Sequence, residues 1–172
     1  MSRHQAVARF ERLCLPHLDA AYNLARWLCH DDSAAQDIVQ ESCLRAFKAM
    51  GQFDEQYPRA WLLTIVRNQS YSWLKKSARQ VRLNDLEDDA LIELSDATDM
   101  AMEMRQDIGA VRSAIAELPE VFREVIVLCD IEGLPYAQIA EMVSVPIGTV
   151  MSRLSRGRGM LKKILMDKNH GR

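Results

Sequence analysis

The 172-residue chain is long enough for one ordinary domain or two small ones, and its 48% hydrophobic content is too high for a disordered protein. Charged residues make up 27%, aromatics 6%, and there are only 7 glycines and 5 prolines, too few turn formers for a β-sandwich or barrel. The abundance of strong helix formers predicts an all-α protein.

No apolar run approaches the roughly 18 residues of a membrane span. The start, Met1-Ser2-Arg3-His4, lacks the apolar core of an export signal, so a cytoplasmic protein without stable membrane insertion is expected. The net charge of −2 hides a block pattern. Residues 1–57 carry 6 basic and 8 acidic side chains, residues 58–83 carry 6 basic and none acidic, and residues 84–107 carry 1 basic and 9 acidic. Residues 108–146 carry 2 basic and 6 acidic, and residues 147–172 carry 7 basic and 1 acidic. Two basic blocks flanking an acidic one suit a protein with two polyanion-binding surfaces and a stretch that avoids polyanions.

Taken in chain order, residues 6–29 read as a helix broken at Pro16. His30-Asp31-Asp32-Ser33 supplies a turn and an N-cap, and a second helix is expected over 33–50, ended by Gly51. A third begins after Pro58 and runs to about Ala78. The acidic block 84–107 shows no clean period. Its 24 residues would span at most about 80 Å extended and about 25–30 Å as a flexible coil. Helices resume over 108–118, stopped by Pro119, then over 120–131, closed by Gly133, and over 135–143, closed by Ser144-Val145-Pro146. The last runs from Ile147 into the tail. The expected architecture is two small helical domains, 1–80 and 108–172, joined by an acidic flexible linker over 81–107.

On the wheel of the third helix, Leu62, Leu63, Ile65, Val66, Trp73 and Leu74 gather on one side. Asn68, Ser72, Lys75, Lys76 and Arg79 gather on the other, with Tyr71 at the edge and Trp61 among the polar group. Asn can bond base edges and an exposed ring can stack on an unpaired base, so this cationic face suits nucleic acid. A solvated helix face is the simpler alternative.

The stretch Pro135-Tyr136-Ala137-Gln138-Ile139-Ala140-Glu141-Met142-Val143, a short turn, then Ile147-Gly148-Thr149-Val150-Met151-Ser152-Arg153-Leu154 reads as a helix-turn-helix. Small Ala140 permits a close crossing. Ile147, Val150, Leu154, Leu161 and Leu165 face inward on the second helix, while Thr149, Ser152, Arg156 and Lys163 face outward with Arg153 at the flank. This is the layout of a recognition helix.

These segments resemble a known family. Leu118-Pro119, Val127-Leu128, Glu132-Gly133-Leu134-Pro135-Tyr136 and Gly148-Thr149-Val150-Met151-Ser152-Arg153-Leu154 resemble the fourth conserved region of bacterial sigma factors. Asp37-Ile38-Val39-Gln40-Glu41-Ser42-Cys43-Leu44-Arg45-Ala46-Phe47 resembles the polymerase-binding motif of the second region. Ala60-Trp61-Leu62 with Val66-Arg67-Asn68 resembles its promoter-melting part. Two regions joined by a short linker are the pattern of the extracytoplasmic-function group.

The resemblance implies a non-enzymatic factor that directs core RNA polymerase to promoters, in a stress response. It implies that Asp37, Gln40, Glu41, Leu44 and Arg45 dock on the beta-prime clamp helices, with the second domain at the beta flap. Trp61, Arg67, Asn68, Tyr71, Ser72, Lys75, Lys76 and Arg79 would meet the downstream promoter element as it melts. Thr149, Ser152, Arg153, Arg156 and Arg158 would meet the upstream element in the major groove. It also implies a separate anti-sigma partner, often membrane-bound. Two departures stand out. Met151 occupies a place where the family usually has Lys or Arg. Gly157 and Gly159 each cost a helix about 1 kcal/mol against Ala, so fraying after Arg156 is expected.

Two rival readings are a helix-turn-helix regulator with a helical sensing domain, and a helical enzyme or metal sensor. The first leaves the acid-free basic helix at 58–83 without a purpose. The second would rest on Cys14, His17, Cys29 and His30, which lack a second matched pair; together with Cys43 and Cys129 these cysteines form no C-x-x-C motif and read as buried thiols. No carboxylate pair at metal-like spacing, Gly-rich phosphate loop or Ser-His constellation is present, so no metal, cofactor or catalysis is expected.

Overall fold

The computed structural model describes residues 2–84 and 102–170, and the described residues contain α-helices with short 3-10 and π turns and no strands. The acidic block expected to form the linker falls mainly on 85–101, outside the described residues. Its flanks, residues 81–84 and 102–107, are helical.

Helices α1 (Arg3–Leu13), α2 (Leu18–Cys29), α3 (Asp32–Ala49) and α4 (Pro58–Asn84) form the first domain. Ser2 opens α1 with a capping box completed by Gln5, which satisfies two otherwise orphaned amides. The break expected at Pro16 is a 3-10 turn, Leu15–His17. Within the expected capping segment, Asp31 caps α3 by accepting from the Ala34 amide at 2.7 Å, and His30 before it adopts the left-handed conformation. Leu24 and Leu28 of α2 meet Leu62, Leu63 and Val66 of α4 in a fully buried core. Each such side chain contributes about 1.5–3 kcal/mol relative to exposure. Phe10 meets Phe47 edge to face at 6.0 Å and thereby seats α1 on α3. As expected, the core side of α4 carries Leu62, Leu63 and Val66, with Ile65, Trp73 and Leu74 half-buried beside them.

The second domain comprises α5 (Met102–Glu117), α6 (Glu120–Ile126) continued by a π turn (Val127–Ile131), α7 (Tyr136–Val143) and α8 (Ile147–His170). Ile126, Leu128, Ile139, Val150 and Leu154 fill its centre. Lys168, near the end of α8, reaches Glu117 and the Ser113 hydroxyl, each at 2.6 Å, and so ties the last helix to α5.

The expected fraying after Arg156 does not occur, since α8 continues without interruption to His170. Gly157 is buried where α6 crosses α8; a Cβ there would stand 2.9 Å from Cδ1 of Ile126 and 3.2 Å from Cβ of Phe122. The glycine therefore allows close helix packing, which outweighs its poor propensity. Ile147 also departs from its expected inward place. As the first residue of α8 it stands one turn ahead of buried Val150 and is 47% exposed.

Candidate nucleic-acid and protein interfaces

Helix α3 separates its residues by face. Ile38, Ser42 and Ala46 are buried against the first-domain core, whereas Asp37, Gln40, Glu41, Leu44 and Arg45 are all exposed. The exposed set recurs at three- and four-residue steps, so it forms one continuous stripe. Leu44 at its centre is 57% exposed, and Glu41 and Arg45 beside it form an ion pair at 2.9 Å. Val39 and Cys43, at the flanks of that stripe, are half-buried. An apolar centre ringed by charge and amide groups is the composition of a specific protein interface.

The loop from α3 to α4 is held by α1. Arg9 reaches Glu55 at 2.7 Å and the carbonyls of Met50 and Phe53 at 2.8 and 2.5 Å, and Arg12 reaches Glu55 at 3.0 Å. Glu55 and Tyr57 both have positive φ, so these bonds hold the loop in a shape its residues rarely adopt. Arg12 and Arg9 together keep the Glu55 carboxyl below its ordinary value of 4.5. The held loop lets Phe53 stack on Trp61, with ring centres 4.1 Å apart and planes at 13°. Both rings line a cleft of about 610 Å³ with Tyr57, Ile65, Gln138 and Met142. Trp61 therefore lies on a cleft wall, half-buried, rather than in the core proper. The family resemblance places the loop before this helix at the unpaired strand, but Phe53 and Tyr57 were not singled out within it, because they precede the helix whose period was being read.

On α4, Asn68, Ser72, Lys75, Lys76 and Arg79 are exposed, while Arg67 and Tyr71 are half-buried. The Ser72 hydroxyl donates to the Asn68 carbonyl at 3.0 Å, and the Asn68 side-chain oxygen accepts from Arg67 at 3.3 Å. Arg67 lies over the Tyr71 ring, 4.7 Å from its centre, and forks onto the carboxylate of Glu124 in α6. Burial, with Glu124 and Glu120 nearby, pushes the Tyr71 phenol upward, so it stays neutral. Lys75, Lys76 and Arg79 form the exposed cationic end of this helix.

In the second domain, Ser144 in the left-handed conformation makes the turn between α7 and α8, and the Val145 amide donates to the Ala140 carbonyl at 3.0 Å. Ala140 is buried, which lets α8 cross closely. On α8, Ser152, Arg156 and Arg158 are exposed, and Thr149 and Arg153 are half-buried at the flank. Met151 is 53% exposed. Arg158 is engaged by the chain itself: Asp130 accepts from it at 2.7 and 3.0 Å, which lowers the Asp130 carboxyl and raises the guanidinium. Arg156, by contrast, is exposed with no ion pair among the described residues.

Among the described residues, no three or more His, Cys, Asp or Glu side chains come together as a metal site. Cys14 and Cys29 are buried, and burial pushes both thiols up to about 11, which disfavours the reactive thiolate. Among the described residues, no helix is long and apolar enough to cross a membrane.

Comparison with known proteins matches residues 13–80 to the family described as Sigma-70 region 2, and residues 108–161 to that described as Sigma-70, region 4. The chain is 32% identical over 167 residues to the RNA polymerase sigma-H factor of Pseudomonas aeruginosa, covering 91% of this chain and 86% of that protein. It is 32% identical over 162 residues to the ECF RNA polymerase sigma factor SigE of Mycolicibacterium smegmatis, covering 93% of this chain but only 63% of that longer relative. The sigma factor RpoE of Bartonella quintana, solved in complex with the anti-sigma factor NepR, has a TM-score of 0.79 at 29% identity, covering 91% of this chain and 96% of that one.

Proposed function

The chain belongs to the sigma-70 family, in its extracytoplasmic-function group, and we propose that it is an alternative sigma factor that brings core RNA polymerase to a set of stress promoters. A sigma factor selects where transcription starts and is not an enzyme. The first domain, 1–80, docks on the beta-prime clamp helices through Asp37, Gln40, Glu41, Leu44 and Arg45. It meets the downstream promoter element through Trp61, Arg67, Asn68, Tyr71, Ser72, Lys75, Lys76 and Arg79. The second domain, 108–172, sits at the beta flap and reads the upstream element through Thr149, Ser152, Arg153 and Arg156. Arg158 joins them once it leaves Asp130. Residues 81–107 connect the two domains, an anti-sigma factor holds the protein inactive, and its place of action is the cytoplasm.

The observation that carries this reading is the bare stripe on α3. A 57%-exposed leucine ringed by polar groups, on a helix otherwise packed into its own core, is a surface waiting for a protein. The test is co-purification with core RNA polymerase. The wild-type chain should be retained, and Leu44→Asp should lose retention while keeping its helical circular dichroism. Equal retention of both proteins would remove the assignment of this face.

A further inference from the structure

Helix α4 contains no acidic residue between 58 and 83, so the counter-charges for its arginines must come from elsewhere in the fold. They come from the second domain. Glu124 of α6 takes the Arg67 guanidinium with both carboxylate oxygens. Glu132, just beyond the π turn, accepts from Arg59 at 2.9 Å and offers its backbone carbonyl to the same guanidinium. Both glutamates are nearly fully buried. A third link runs the other way: Arg123 donates from Nη2 to the carbonyls of Ala116 and Leu118 at 2.9 Å each and places Nη1 3.1 Å from Nε2 of His30. Close approaches of α2 to the π turn and of α4 to α7 complete the junction.

We infer that Glu124 and Glu132 act as an internal stand-in for phosphate: they occupy Arg67 and Arg59 in a closed arrangement, and this face of α4 accepts single-stranded DNA only after the pairs part. The inference rests on the proposed function, which places Arg67 on the melted promoter strand. The chemistry suits a reversible latch. A buried ion pair gains little net stability, because each charge gives up its water to form it. Nε of Arg123 and one oxygen of Glu132 are also buried with no hydrogen-bond partner among the described residues. Parting the domains returns these groups to water, so opening recovers hydration that closure had removed. A phosphate backbone offers the same arginines many anionic oxygens at once, together with the release of condensed counterions.

The test is the double variant Glu124→Gln with Glu132→Gln in the full-length chain, without polymerase. Small-angle X-ray scattering should give a larger radius of gyration than wild type. Fluorescence anisotropy with a labelled single-stranded oligonucleotide at low salt should show about tenfold tighter binding, for two arginines returned to phosphate. Should that variant lose its helical circular dichroism, charge exchange reads the same contact: Arg59→Glu should expand the molecule, and adding Glu132→Arg should restore compaction. Unchanged scattering and affinity in the folded double variant, or no recovery in the exchanged pair, overturns the latch. Core-polymerase binding is measured separately, so failure of the latch is distinguishable from failure of the sigma-factor reading.

Discussion

Arg67 and Glu124, 57 positions apart in sequence, join α4 of the first domain to α6 of the second through a two-oxygen ion pair whose carboxylate is 3% exposed. With the DNA contact proposed for Arg67, this pair sets two uses of one guanidinium against each other and shapes what each substitution should do.

Asn68 is exposed beside that arginine and is proposed to touch a base only after the strands separate. Asn68→Ala should therefore impair open-complex formation more than recruitment. Permanganate footprinting of the holoenzyme on a responsive promoter should show reduced thymine reactivity with near-normal initial binding. A wild-type melting pattern would remove Asn68 from the site.

Arg156 stands outward on α8 with its guanidinium available. Arg156→Ala should weaken recruitment at the upstream element, because a bidentate arginine–guanine contact gives about 1–3 kcal/mol of discrimination. Met151, exposed one turn earlier, offers an apolar surface suited to a thymine methyl group. Met151→Arg should change the preferred base there while leaving polymerase binding intact. Selection from a randomised upstream element reads both effects.

The two late glycines of α8 should respond in opposite directions. Gly157→Ala places a methyl against Ile126 and Phe122 and should cost about 1–3 kcal/mol by overpacking. Gly159, with no heavy atom within 4 Å of an added Cβ, should gain about 1 kcal/mol on mutation to Ala. Urea denaturation of the two variants gives the signs directly.

That contrast shows where the sequence is readable. The α3 residues proposed to meet polymerase were singled out by the family resemblance, whereas the core side of α4 follows from helical period alone, because each residue's face depends only on its own helix. The helix-turn-helix was legible for the same reason, with Ala140 and the turn at Ser144 as local signals. Gly157 misled, because propensity describes one helix and the close approach of α6 belongs to another. The partners of Arg67 and Arg59 were invisible too, since Glu124 and Glu132 lie in a different domain and carry no motif of their own. Phe53 was missed as a loop residue whose place depends on Arg9 reaching its carbonyl.

The same clamp should be sensitive to acid. Arg12 and Arg9 depress the Glu55 carboxyl in the folded protein, so its contribution is present above the unfolded-state value and lost as pH falls through the folded one. Stability should therefore decline below the ordinary carboxylate range more steeply in the wild type than in Glu55→Gln. Because Glu55 is solvent-accessible, added salt should reduce the difference. Denaturation midpoints across an acid series check this; parallel pH curves for the two proteins would contradict it.

Run-off transcription tests the central claim most directly. Core RNA polymerase supplied with this protein should produce discrete transcripts from a subset of promoters in a genomic library, with none from core enzyme or protein alone. The protein without polymerase should bind the same duplexes only weakly, since each domain alone makes few contacts and holding both on one enzyme raises their effective concentration. Absence of transcripts, together with tight sequence-specific binding of duplex DNA by the free protein, would contradict the account and favour a conventional helix-turn-helix regulator.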